Sequence, residues 1–142
     1  MTDIAAGIKD LLVTAGVGTF AASSGWGIFI GSEPGEPTTT ITIFETGGEA
    51  ANPKFLLDFP TANIRVRGDK NGYTAGRAKI QEVKDALLGL PSQDLNGDRW
   101  VSITMISDIH SLGRSERNEP MWGLKLSLII EPATGTHRES LC

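Results

Sequence analysis

Apolar side chains recur along this chain at two spacings. Over residues 3–15 they fall at Ile4, Ile8, Leu11, Leu12 and Ala15, which lie on one helical face. Thr2 or Asp3 can cap the start of that helix, and Gly16 suits the left-handed residue that ends it. The same spacing returns over residues 73–88 at Gly76, Ile80, Val83 and Leu87, with Leu90 just beyond and Gly89 and Pro91 to terminate it.

Elsewhere the spacing is two, which predicts strands. Trp26, Ile28 and Ile30 alternate with Gly27, Phe29 and Gly31. A loop, Ser32 to Pro37, holds two prolines and a glycine. Thr38 to Thr46 then sets Ile41 and Ile43 against Thr40, Thr42 and Phe44, so the two stretches read as a hairpin with an extended tip. Gly47–Asn52 reads as a second loop, and Phe55–Phe59, between Pro53 and Pro60, as packed coil or a short strand. Over Asn63–Gly68, Ile64 and Val66 face in and Arg65 and Arg67 face out. Two long strands, Arg99–Ile109 and Met121–Glu131, finish the pattern.

The order is α-β-β-β-α-β-β. It predicts an α+β fold, one mixed and largely antiparallel sheet of about five strands with two helices packed on one face. The strands holding Ile41, Val66, Ile103 and Leu126 should share that sheet, and Ile8 and Leu87 should come from its helices. The expected domain is 1–132, with a polar tail over 133–142.

With 142 residues, 39% of them apolar, the chain fits one domain that can bury a core without a metal or disulfide staple. Its single cysteine, Cys142, precludes an intrachain disulfide. The first residues lack the basic start of a secretory signal, and no apolar run approaches the ~20 residues of a membrane span. A cytosolic or virion-borne protein is expected. The formal charge is −4, from 13 basic and 17 acidic residues, with no block of basic residues to attract phosphate backbones.

Several short patterns resemble chemistry and fail in context. Gly16-x-Gly18-x-x-Ala21 has the letters of a dinucleotide fingerprint, but it follows a helix and enters a strand, the reverse of what that site needs. Asp94-Leu95-Asn96-Gly97-Asp98 looks like the opening of a calcium loop. Arg99 and Met105, however, stand where glycine and a carboxylate are required, so a tight turn is the better reading. His110 and His137 have no partner at metal-ligand spacing. Ser107, Asp108, His110 and Ser111 lie together, yet triad members converge from separate elements. These four read as a strand end entering a surface loop. No catalytic residue, metal or cofactor is expected.

Arg65 and Arg67 project from one side of their strand, with Arg77 and Lys79 soon after. Three readings stay open: a solvated sheet face, a protein–protein contact of the kind arginine favours, and a phosphate contact weakened by the acidic balance.

A longer constellation follows from Pro60. Pro60 to Gly68 is a proline-introduced strand ending in Arg65-Val66-Arg67, and it leads to a helix carrying Tyr73, Ala75 and Ala78 that closes on Leu88-Gly89. The strand segments Ser102–Ser107 and Trp122–Glu131 follow, joined by a loop beginning Ser111-Leu112-Gly113-Arg114. In order and spacing these pieces resemble the tail terminators and related minor capsid proteins of long, non-contractile bacteriophage tails, with coverage of about residues 1–132. The sequence departs after Arg114: Ser115-Glu116-Arg117-Asn118-Glu119 replaces the family's usual run, and only Glu116 matches directly.

The resemblance implies a non-enzymatic virion structural protein of the tail top or neck, assembled in the host cytoplasm. It would form a ring, usually of six copies, that caps the tail tube, stops its polymerisation and offers a docking surface to the head connector. Its partners would be copies of itself, the major tail tube protein and the head–tail connector protein, with no membrane. Arg65, Arg67, Arg77, Arg114 and Glu116 are then candidates for subunit or partner contacts. DNA would pass through the ring without sequence-specific binding. A basic lining would hold it by counterion release, so an acidic lumen drawn from Glu33, Glu36, Glu45 and Glu49 is expected. Two rivals remain: another head–tail connector or stopper component, and a small-molecule-binding or hydrolytic domain with Gly16–Gly31 as its pocket floor.

Overall fold

The computed structural model describes residues 4–21, 25–33, 39–52, 57–88, 90–95 and 98–131. In chain order its elements are helix α1 (Ile4–Thr14), strands β1 (Thr19–Phe20), β2 (Gly27–Ile30), β3 (Thr40–Asn52) and β4 (Leu57–Arg67), helix α2 (Tyr73–Leu88), and strands β5 (Gln93–Leu95), β6 (Asp98–Arg114) and β7 (Pro120–Glu131). The strands form one sheet in the order β1-β2-β3-β4-β7-β6-β5. Pairing is parallel from β1 to β3 and antiparallel beyond. The sheet curls into a half-barrel, with the two helices bringing their apolar stripes into the core.

Both helices follow the apolar spacing. In α1, Ile4, Ile8, Leu11 and Leu12 are buried. A helix of 11 residues is marginal alone, so this stripe, at about 1.5–3 kcal/mol per large buried side chain, holds it in place. Its C-terminus closes as a Schellman motif: Gly16 N–H donates to Val13 O and Val17 N–H to Leu12 O, with Gly16 at φ +77°. The two capping candidates, Thr2 and Asp3, lie outside the described residues. At the start, Ala5 N–H donates to Glu45 Oε1 at 3.1 Å, placing a carboxylate at the positive end of the helix dipole. Gly7 lets α1 approach β6, since a Cβ there would overlap the Trp100 ring, with Cη2 only 2.8 Å away. In α2 the buried residues are Gly76, Ile80, Val83 and Leu87.

The helix-facing side of the sheet is built in rows. Ile28, Ile41, Val66 and Trp122 are successive cross-strand neighbours, and so are Ile30, Ile43, Ile64 and Leu124. Ala62, Leu126 and Met105 make a third row, followed by the pairs Leu128–Ile103 and Ile130–Trp100. The strands of Ile41, Val66, Ile103 and Leu126 therefore share one sheet, and Ile8 and Leu87 join the same core.

The arrangement differs from the expected one in four respects. First, there are seven strands, not about five. β1 and β5 have two and three residues, too few for alternation to show. β5 precedes β6 across the Asp94–Asp98 segment, whose residues 96 and 97 lie outside the described ones. Second, β2 and β3 are parallel, in the register Gly27↔Thr40 to Ile30↔Ile43, and make no hairpin. Alternation puts the isoleucines on the core face whichever way the strand runs, so it cannot fix direction; β4 takes the antiparallel side of β3.

Third, β3 does not stop at Thr46 but continues through Gly47 to Asn52, and β4 begins at Leu57. Register shifts between Glu45 and Gly48 and between Glu49 and Asn52 absorb the glycines. Pro60 fits there because it pairs at the shifted position. Fourth, Ser107–Ser111 is no strand end entering a loop, since β6 runs on to Arg114. Four register shifts interrupt its pairing with β7. The exposed apolar residues Val101, Ile106 and Leu112 are the extra residues at three of them. A bulge tightens local twist, consistent with the curl of the sheet around the helices.

Candidate functional site

Of the polar residues singled out by sequence, the face of the sheet turned from the helices carries Arg65, Arg67, Ser107 and His110. Its rows are Gly27, Thr40, Arg67 and Met121; Phe29, Thr42, Arg65, Gly123 and His110; and Phe44, Asn63, Lys125 and Ser107.

The first row ends in an ion cluster. Arg67 projects from the outward face as its alternation implies, yet it is 5% exposed there, so the solvated reading does not hold for it. Its Nη1 donates to Glu33 Oε1 at 3.0 Å, and its Nε stands 3.8 Å from Glu119 Oε1. Glu119 is itself buried; Ser115 Oγ donates to its Oε1, and Arg117 lies 3.6 Å away. The cluster thus joins the segment after β2, strand β4 and the β6–β7 turn. Arg65 differs from Arg67, with its side chain 42% exposed and, among the described residues, a single 3.8 Å ion contact, to Glu33. Its guanidinium lies 5.3 Å from the centre of the Phe44 ring.

The next two rows leave a groove of about 340 Å³, lined by Phe44, Asn63, Arg65, Ser107, His110, Leu112, Gly123 and Lys125 together with Ile64 and Leu124. Gly123 lets Leu112 and His110 pack close over the strand, because a Cβ there would lie 3.0 Å from Leu112 Cδ1 and 3.4 Å from His110 Nε2. Asn63 Oδ1 is buried without a hydrogen-bond partner among the described residues.

The other candidates are dispersed. Arg114 caps the end of β6, donating to Lys70 O and Asn118 O, and so stays near the ion cluster. Glu116 is exposed in the β6–β7 turn. Arg77 is on α2, donating to Gln81 Oε1 with its guanidinium 5.9 Å from the Trp122 ring. Glu33 is held by Arg67, and Glu45 caps α1. Glu36 and the side chain of Glu49 lie outside the described residues.

Asp108 and His110 do not form a catalytic pair: His110 Nδ1 lies 2.9 Å from the Asp108 backbone oxygen, not its carboxylate. That carboxylate accepts the Ile109 N–H and the Lys84 ammonium, which hold it below the usual carboxylate range. A second cleft, of about 290 Å³, takes only Ile30 and Gly31 from the Gly16–Gly31 stretch, and its one charged group is Glu45. Sequence reasoning missed Glu119 and Asn63 in these sites. Glu119 sits in a charged turn that reads as solvated, and no periodicity marks it as buried.

Comparison with known proteins completes the picture. No curated protein matches in sequence. Among solved structures the chain is similar to one from the virion of a native gene transfer agent particle. The TM-score is 0.68 at 18% identity, covering 90% of this chain and 94% of that one, a likeness of fold alone. A family model described as bacteriophage tail terminator protein matches residues 11–132. That match spans most of the chain, which belongs to the bacteriophage tail terminator family and is a structural protein of the virion tail.

Proposed function

We propose that this chain assembles into a ring, six copies on the family's usual pattern, at the top of the tail tube. There it stops tube polymerisation and offers a docking surface to the head connector. The observation that carries the reading is the family match over residues 11–132. The fold is compatible with it, since partly exposed residues of the sheet such as Arg65 and Lys125 can meet neighbours while the helices hold its core. The partners are other copies of the chain, the major tail tube protein and the head–tail connector protein.

Within the ring, Arg65, Arg114 and Glu116 are the exposed candidates for subunit or partner contact, and Arg77 serves a contact on the helix side. Arg67 supports that surface from within. The ring is acidic overall, since each chain carries −4. Its lumen is lined by polar or acidic residues, drawn from Glu33, Glu36, Glu45 and Glu49, and DNA passes without being held.

The test is tube growth followed by light scattering. Purified chain added in small molar amounts to polymerising tube protein should stop elongation. A connector or stopper component would instead leave growth unchanged.

A further inference from the structure

We propose that the groove over Gly123 is a docking site for an acidic segment of another assembly protein, one that inserts a single apolar side chain. The proposal rests on the reading of this chain as an assembly subunit. Charge complementarity is the first argument. In a chain of net charge −4, the groove is lined by Arg65, Lys125 and His110 and by no carboxylate among the described residues. Lys125 makes no ion pair with any described residue, and Arg65 keeps its guanidinium half-exposed beside Phe44. A carboxylate entering between them would meet two cations already in place.

Shape supports the same occupant. Gly123 lets Leu112 and His110 pack close over β7, and Phe44 and Leu112 supply apolar walls. The volume, about 340 Å³, lies at the low end of the range for ligand pockets, roughly 300–1,000 Å³. Leu112 is one of the bulge residues of β6, so pairing with β7 does not require its side chain there. Asn63, on the groove wall, also has a buried Oδ1 with no hydrogen-bond partner among the described residues, which a main-chain N–H of an inserted segment would satisfy once the side chain turns outward. The position also selects the occupant. The groove spans β3, β4, β7 and β6 in the middle of the face, so a protruding segment reaches it and a neighbour extending the sheet edge does not.

The experiment uses the full isolated chain, labelled for amide NMR, so it needs neither ring nor tube and can fail independently of the capping reading. The probes are the peptide acetyl-Gly-Glu-Asp-Leu-Glu-Gly-amide, the same peptide with glycine for leucine, the same with lysine for each acid, and a short DNA duplex. The leucine-containing acidic peptide should shift the Gly123, Lys125 and His110 amides saturably, with a Kd on the order of 1 mM. The glycine peptide should bind more weakly. Lys125→Gln should raise the Kd about tenfold in a folded chain, and Gly123→Ala, which displaces Leu112 and His110 into the groove, should do the same. Absence of saturable shifts from the leucine peptide, equal shifts from the lysine peptide, or duplex DNA occupying the groove in its place would each overturn the proposal. So would self-association abolished by Lys125→Gln, which would make a second copy the occupant.

Discussion

Arg65 and Arg67 show how two residues of one type, two positions apart on one face, acquire different roles. Arg67 is buried against the carboxylates of Glu33 and Glu119, whereas Arg65 is half-exposed with one long contact. Removing Arg67 leaves two carboxylates without their shared cation, and breaking a buried pair costs about 3–5 kcal/mol. Removing Arg65 breaks an exposed pair worth about 1 kcal/mol or less. We therefore expect Arg67→Ala to lower the urea midpoint sharply and Arg65→Ala to leave it almost unchanged; equal losses would refute the distinction. A charge reversal aimed at subunit contacts should accordingly use Arg65→Glu alone, since reversing Arg67 would also break the buried cluster with Glu33 and Glu119. Alternation placed both arginines on the correct face. It could not separate them, because their burial depends on carboxylates supplied by distant segments.

At the level of elements, the long, regular ones were legible and the short or irregular ones were not. Helices α1 and α2 and strand β7 follow their periods, because each buries one continuous apolar face. Strand β6 does not: bulges at Val101, Ile106 and Leu112 reset its alternation, and its apolar letters no longer map onto one face. This has a measurable consequence. Ile106 is 56% exposed, so Ile106→Thr should change stability by no more than about 0.5 kcal/mol. Leu126, fully buried in the adjacent β7, should cost about 2–5 kcal/mol as Leu126→Ala. Comparable losses in urea unfolding would mean that Ile106 packs into the core after all. The parallel pairing of β2 and β3 was illegible for a different reason: alternation reports which face a residue takes and carries no information on strand direction.

For the whole molecule, the family match makes the chain a structural protein of the virion tail, and one sheet face carries both the buried Arg67 cluster and the partly exposed groove beside it. Alternation placed Arg65 on the outer face of the sheet, while the groove was invisible because residues of four strands line it. The proposed role places copies of this chain at one end of a tube and nowhere along it. The most direct measurement is a cryo-electron microscopy reconstruction of tube ends assembled in its presence. The account predicts a closed ring of this chain on one end of each tube, with tube protein ending beneath it. Copies distributed along the tube wall, or tube ends identical with and without the chain, would contradict it.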